Sequence, residues 1–245
     1  MKQNYFEPTW SSIKQHQTPN WFKKAKFGIY AHWGIYSVPA AGPNVTWYPY
    51  WMYRPPSPQF DYHCKHYGHP SKFGYKDFIP MFTAEKFNAE EWADLYYRSG
   101  AKFAGPVAEH HDGFPMWNCS DTEWCASKMG PKRDIVGELE KAIRNKGMKY
   151  MVAMHHAENW FFFPHWNNDF DTSKKEYESL YGELHNLDLI GNQAVYPDHW
   201  GRKNEHQDKP SKAFHDRWLN RLKEVVDNYK PCLLYTSPSP RDGTS

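Results

Sequence analysis

Histidines occur at three places where an apolar run gives way to polar residues. His32 follows KFGIYA, the pair His110 and His111 follows AKFAGPVAE, and the pair His155 and His156 follows KYMVAM. A neutral imidazole donates one hydrogen bond and accepts another, which suits a ligand rich in hydroxyl groups, and it also binds metals and transfers protons. These positions are therefore the first candidates for chemistry.

The apolar runs before these histidines have the length and composition of buried strands. Residues 26–34, 101–111 and 149–156 are short and mostly apolar, and they lack the strict alternation of a half-exposed strand. They are therefore expected to form parallel strands that are covered on both faces.

Amphipathic segments with helix start and stop signals alternate with these runs. Residues 88–100 begin at the N-cap Asn88, residues 133–147 end at a glycine, and residues 211–231 begin at a serine and end at Pro231. Because strand–helix–strand order requires parallel pairing, the fold class is predicted to be α/β.

Two long connections follow the predicted strands. Residues 35–85 are rich in aromatic residues and proline, and residues 157–211 are polar, with one helix predicted near 173–186. In an α/β barrel such connections form the active site at the carboxyl ends of the strands. The histidines at three strand ends are then expected to share one site; the alternative is that each is packed or hydrogen-bonded on its own.

Adjacent histidines need a separate explanation, because successive side chains of a strand point to opposite faces. At the last residues of a strand the side chains no longer have to fill the barrel. Both His110 and His111 can then turn toward one ligand, with Asp112 and Gly113 as the turn that follows.

Composition narrows the function classes. Aromatic residues make up 18% of the 245 residues, which favours either a large core or a carbohydrate site, since sugars present C–H faces to aromatic rings. The net charge is +2, so neither nucleic acid nor a membrane surface is expected as a partner. The sequence contains no apolar run long enough to span a membrane and no secretion signal at its start, and the compartment stays unassigned.

The cysteine pattern argues against a disulfide scaffold. The chain has four scattered cysteines and no CxxC motif, so free thiols are expected and a zinc site built on cysteine is not.

Four long motifs together resemble the retaining α-L-fucosidases of the glycoside hydrolases. They are WFKKAKFGIYAHWGIYSVPA, TWYPYWMY, GAKFAGPVAEHHDGFPMW and GPKRDIVGELEKAIRNKGMKY. The resemblance extends from about residue 5 to Pro231. It implies a (β/α)₈ barrel of the TIM type, a fucosylated glycan as substrate, and no cofactor or metal.

The resemblance also implies a set of sugar-binding residues at the carboxyl ends of the strands. They come from the HWG motif, the following aromatic loop, the HHDGF motif and the end of the third strand: His32, Trp47, Tyr48, His110, His111 and His155.

The carboxyl groups of the family are harder to place. Retaining glycosidases need two of them about 5–5.5 Å apart. Many relatives have glutamate where this chain has Thr46; Glu109 is expected to be structural, and Glu158 stays open as an acid/base. The position of the nucleophilic aspartate at the end of the fourth strand falls on Ser237, so no catalytic residue is assigned.

The final residues differ abruptly from the rest of the chain. Residues 232–242, CLLYTSPSPRD, match one reading frame of a transposon sequencing adaptor. Residues 1–231 are therefore predicted to be a partial glycosidase domain truncated near its fourth strand, and residues 232–245 a non-native tail. Because Pro238 and Pro240 cannot donate ladder hydrogen bonds, three well-formed strands and a short or poor fourth are expected.

The functional hypothesis is a retaining α-L-fucosidase, present here as the inactive N-terminal half of its barrel. Two alternatives remain at this stage. One is a non-catalytic carbohydrate-binding relative, and the other is a metal-dependent hydrolase on the same barrel with the histidines as ligands.

Overall fold

A computed structural model describes residues 6–184 and 210–236. Within these ranges four parallel strands form one sheet, in the order in which they follow along the chain. The strands are β1 (Gly28–Ala31), β2 (Phe103–Glu109), β3 (Lys149–Met154) and β4 (Leu233–Thr236). Sequential neighbours of this kind are typical of successive β/α units. The first three strands confirm the predicted ones, and each ends just before its histidines.

The helices surround this sheet and fill its connections. The α-helices are α1 (Trp10–Ile13), α2 (Asn20–Ala25), α3 (Tyr48–Trp51), α4 (Pro58–His66), α5 (Ala89–Arg98), α6 (Ile135–Asn145), α7 (Asn159–Phe162), α8 (Glu178–Tyr181) and α9 (Lys212–Tyr229). Short 3₁₀ segments lie at Ile35–Ser37, Val45–Trp47, Tyr75–Met81, His156–Glu158, Asp171–Ser173 and Lys175–Tyr177. None of the helices in the described ranges has the length and apolar character to cross a bilayer.

The three long predicted helices are confirmed as α5, α6 and α9. Each begins where its capping residue places it: the side chain of Asn88 accepts from the amide of Glu91, and that of Ser211 accepts from the amide of Phe214. These caps satisfy amides that the first turn of a helix leaves unpaired.

Helix α6 shows how the sequence pattern produces the packing. Ile135, Leu139 and Ile143 recur at intervals of four, and all three are at most 1% exposed. A fully buried side chain of this kind contributes about 1.5–3 kcal/mol to stability, so this stripe holds the helix on the sheet.

The connection over residues 35–85 is more ordered than predicted. It contains α3, α4 and a 3₁₀ segment, and many of its rings join the hydrophobic core. Helix α4 starts because Ser57 caps the amide of Phe60 and Pro58 fits the first helical turn. Of the helix predicted near 173–186, the described part forms two short helical segments, and residues 185–186 lie outside the described ranges.

The fourth strand is short, as expected, but it is regular. Its four residues match β1 in length and pair in register with Met151–Met154. The physical reason is that Leu233–Thr236 has high strand propensity and ends before Pro238 and Pro240, which lie outside the described residues.

Candidate active site

Just after the end of β2, the imidazoles of two adjacent residues lie side by side. The strand ends at Glu109, and the amide of Gly113 donates to the carbonyl of His110 at 3.2 Å, which closes a turn. Gly113 takes a positive φ of 76°, where a side chain would be strained. Outside the strand the alternation no longer applies, and the rings of His110 and His111 lie 4.3 Å apart.

Histidines from three strands converge at this end of the sheet. The ring centroids of His32, His110 and His155 are separated pairwise by 5.3–5.5 Å, and His111 lies 5.5 Å from His155. His110, His111 and His155 are buried, whereas His32 is exposed. The structure thus brings together the four histidines that the family resemblance assigns to sugar binding, and we refer to them as the histidine cluster.

The hydrogen bonding of His111 fixes its tautomer. Its Nδ1 lies 2.7 Å from the carbonyl oxygen of His155, which can only accept, so Nδ1 carries a proton. The side chain of Asn159 donates to the backbone carbonyl of His111 at 2.9 Å and holds its main chain. Nε2 of His111 lies 3.8 Å from a carboxylate oxygen of Glu158, so the carboxylate whose role the sequence left open borders the cluster.

Burial favours the neutral form of His110. It lowers the pKa of His110 well below its ordinary value, and the neighbouring His111, His155 and His32 lower it further. His32 is more exposed, but partial removal of its ring from water lowers its pKa as well. Neutral imidazoles at these positions can both donate to and accept from hydroxyl groups.

An aromatic wall, formed by Trp47, Tyr50 and Phe162, borders the cluster. The ring of Trp47 lies 5.1 Å from His111, 5.2 Å from Tyr50 and 5.4 Å from Phe162. Trp47 is half-buried. A flat apolar surface beside neutral hydrogen-bonding groups is the combination that a sugar ring requires.

Tyr48 lies apart from this arrangement, contrary to our expectation. Its side chain is fully buried, and its hydroxyl donates to Nδ1 of His63 at 2.9 Å, while Nε2 of His63 donates to the carbonyl of Phe73 at 2.8 Å. Because Tyr48 and Trp47 belong to a helical segment, their side chains point in different directions. Tyr48 therefore anchors the segment in the core behind Trp47.

Glu109 occupies a buried ionic network, which fits the structural role expected of it. Its carboxylate contacts a guanidinium nitrogen of Arg221, and Nδ1 of His156 lies 2.8 Å away. Burial alone would raise the pKa of Glu109, but the charge of Arg221 and the charge and hydrogen bond of His156 together hold that pKa below its ordinary value. Arg221 also contacts Asp121 at 3.0 Å, so it joins α9 to the end of β2.

Sequence reasoning missed Arg221, and it wrongly counted His156 among the strand-end histidines expected to share one site. Arg221 is 1% exposed although it carries a charge. The available signal was its place on the inner face of α9, four residues before the buried Val225. The ring of His156 turns away from the cluster and stacks on Phe214.

The described residues contain no group of three or more His, Cys, Asp or Glu side chains placed to hold a metal ion. All four cysteines are free, as expected. At the end of β4 the ring of Tyr235 lies 5.8 Å from His155, and Ser237, where the sequence analysis placed the nucleophile position, lies outside the described residues.

Comparison with known proteins identifies the family. The sequence profile described as alpha-L-fucosidase matches residues 1–240. The chain belongs to the alpha-L-fucosidase family. Fucosidases of this family are glycoside hydrolases, so the resemblance found in the sequence motifs is confirmed.

Curated fucosidases match a large part of this chain. Tissue alpha-L-fucosidase of Homo sapiens is 35% identical over 234 residues, which cover 87% of this chain and 49% of the relative. Plasma alpha-L-fucosidase of Homo sapiens is 46% identical over 157 residues, which cover 64% of this chain and 33% of the relative. The chain thus spans no more than about half the length of these relatives.

Solved fucosidase structures have the same fold over nearly all of this chain. The alpha-fucosidase of Thermotoga maritima is 33% identical, with a TM-score of 0.74, covering 98% of this chain and 51% of that structure. A structure of the same enzyme in complex with fucose gives the same values.

Proposed function

We propose that the complete protein is a retaining α-L-fucosidase that removes terminal α-L-fucosyl groups from glycans. This chain contributes the N-terminal half of its (β/α)₈ barrel and most of the sugar-binding site. The observation that supports this proposal is the convergence of imidazoles from three consecutive strand ends beside the indole of Trp47. The fucose complex of the T. maritima relative supports the same class of ligand.

The proposed roles follow from the geometry. Fucose presents several hydroxyl groups, and the imidazoles of the histidine cluster offer donors and acceptors that can bind them. Because Nδ1 of His111 donates to the carbonyl of His155, the neutral form of this ring would present Nε2 as an acceptor. Trp47 would contact a C–H face of the sugar, as half-buried indoles do in carbohydrate sites.

A retaining mechanism also needs a carboxylate nucleophile, and the family resemblance places it one residue after β4. This position is occupied by Ser237, and a serine hydroxyl without a base cannot replace a carboxylate as a nucleophile. We propose that residues 232–245 are not native and that the native protein continues with an aspartate about six residues after Pro231. Resequencing the locus from an adaptor-free library tests this: reads that still encode Ser-Pro-Ser-Pro would withdraw the nucleophile assignment.

The same observation at β4 favours a second candidate, a non-catalytic fucose-binding relative. Hydrolysis of an aryl α-L-fucoside by the complete protein distinguishes the two, since the enzyme releases the aryl group and the binding protein only binds fucose. The measurement should be repeated with EDTA. An unchanged rate is expected, whereas strong inhibition would favour a metal-dependent hydrolase.

A further inference from the structure

The turn that carries the histidine pair is fixed from behind by a buried carboxylate. Asp112 is 2% exposed, and it accepts from the hydroxyl of Tyr75 at 2.7 Å and from the amide of Phe114 at 3.2 Å. Because Asp112 directly follows His111, the Tyr75 hydroxyl holds the backbone at the point where the pair enters the site.

Tyr75 is itself held by a second tyrosine. Its amide donates to the hydroxyl oxygen of Tyr53 at 2.7 Å, and the Tyr53 hydroxyl donates to Oδ1 of Asp171 at 2.8 Å. The other oxygen of Asp171 accepts from the hydroxyl of Tyr181 at 2.5 Å. The Tyr181 oxygen in turn accepts from the amide of Lys76 at 2.9 Å.

These contacts form one connected network, the tyrosine network, whose members are Asp112, Tyr75, Tyr53, Asp171 and Tyr181. Its three phenol rings are at most 2% exposed. Each phenol of Tyr53 and Tyr181 donates to Asp171 and accepts from a backbone amide, so the direction of every hydrogen bond is determined. The network joins the turn after β2 to both long connections.

The backbone at Gly74 lies too close to the carboxylate of Asp171 for any side chain to fit there. A Cβ atom on Gly74 would lie 2.0 Å from a carboxylate oxygen of Asp171. A side chain at position 74 would therefore displace Asp171 from the two phenols.

The network contacts the aromatic wall through a pair of phenylalanines. Phe163 lies 4.6 Å from the ring of Tyr181 and 6.2 Å from that of Tyr53. The adjacent Phe162 lies 5.5 Å from His111 and 5.4 Å from Trp47. The same buried network thus supports both the histidine pair and the wall that faces it.

We propose that the tyrosine network positions the aromatic wall against the histidine pair, so that Tyr53, Tyr181 and Asp171 act as positioning residues for sugar binding although none of them lines the site. This inference rests on the proposed function. Their removal is expected to weaken the binding of substrate more than the chemical step, because the bond-breaking groups are not displaced.

Tyr→Phe variants test the proposal, since each removes one hydroxyl. In the complete enzyme, Tyr53→Phe and Tyr181→Phe are each expected to raise KM about fivefold, the effect of one lost buried hydrogen bond, with kcat changed less than about twofold. Tyr150→Phe is the matched control: Tyr150 is fully buried, and its hydroxyl donates to the carbonyl of Val136 at 3.1 Å, away from the network. It should lower Tm similarly and leave KM unchanged. Equal KM values for all three variants, or a change confined to kcat, would overturn the proposal.

Hydrogen–deuterium exchange separates this proposal from the proposed function. Amides of residues 45–53 and 160–163 should exchange faster in Tyr53→Phe than in Tyr150→Phe, and unchanged exchange would contradict the network's role. Asp171→Asn, which retains one acceptor oxygen, replaces Tyr53→Phe if that variant does not fold. A protein that cleaves no fucoside but shows the exchange difference would disprove the fucosidase function while leaving the positioning of the wall intact.

Discussion

The imidazole of His111 donates from Nδ1 to the carbonyl oxygen of His155 at 2.7 Å, which ties the end of β2 to the end of β3. This hydrogen bond occupies Nδ1, so Nε2 is the ring nitrogen that we propose for sugar binding. The side chain that is proposed to bind sugar is thus oriented by the backbone of the next strand, so its direction does not depend on the ligand.

Removing either imidazole of the pair should impair sugar binding without unfolding the protein. We expect His110→Ala and His111→Ala each to lower kcat/KM about tenfold to a hundredfold in the complete enzyme, because a lost hydrogen bond in a buried site costs about 1–3 kcal/mol. His215→Ala, at an exposed position on α9, serves as the control. A variant that melts far lower yet keeps its kcat/KM per folded molecule would show that its histidine is structural.

Truncating the indole of the aromatic wall should act mainly on KM. Trp47→Ala removes the ring that lies 5.1 Å from His111, and Trp47→Phe keeps part of the apolar face. The alanine variant should therefore raise KM more than the phenylalanine variant. If KM for an aryl α-L-fucoside is the same in both variants and in the wild type, the indole does not contact the sugar.

The buried histidines should make stability fall in acid. Burial lowers the pKa of folded His110 below the ordinary value of 6.5, so below pH 6.5 the unfolded chain takes up a proton that the folded protein does not. The associated loss can reach about 1.4 kcal/mol per pH unit while the folded imidazole stays neutral. Urea unfolding at about pH 7.5 and about pH 5.5 should show a smaller loss in His110→Gln than in the wild type. Equal losses in both proteins would contradict this assignment.

Removing only one partner of the buried ion pair between Arg221 and Glu109 should strongly destabilise the folded protein. Arg221→Met leaves the carboxylate of Glu109 buried without its counter-charge, at an expected cost of about 3–5 kcal/mol. The double variant Glu109→Gln with Arg221→Met should recover much of that loss. Arg98→Ala, which breaks an exposed pair with Asp94, should change stability by less than about 1 kcal/mol. Additive losses in the double variant would show that the two charges do not interact.

The strands, the long helices and the histidine cluster were predictable because each depends on local patterns. Apolar runs mark β1 to β3, and caps at Asn88 and Ser211 mark α5 and α9. The carboxyl ends of parallel strands meet at one edge of a sheet, so histidines from all three ends were expected to meet there.

The rest depended on contacts between residues far apart in sequence. The pattern places Tyr48 beside Trp47, but only the contact with His63 shows that it faces the core. In the sequence, Arg221 resembles any solvent-exposed charge on a helix. Only the structure shows that it pairs with Glu109 and Asp121. The tyrosine network joins positions more than a hundred residues apart, which no local spacing reveals.

The identity of the fucose anomer that the complete protein releases first tests the account most directly. Proton NMR recorded during the first turnovers on an aryl α-L-fucoside, before mutarotation, should show α-L-fucose, because a retaining mechanism inverts the anomeric carbon twice. The signal should fall in His111→Ala in proportion to its kcat/KM. Release of β-L-fucose, or no release from a protein whose native sequence extends beyond Pro231, would contradict the proposed retaining fucosidase.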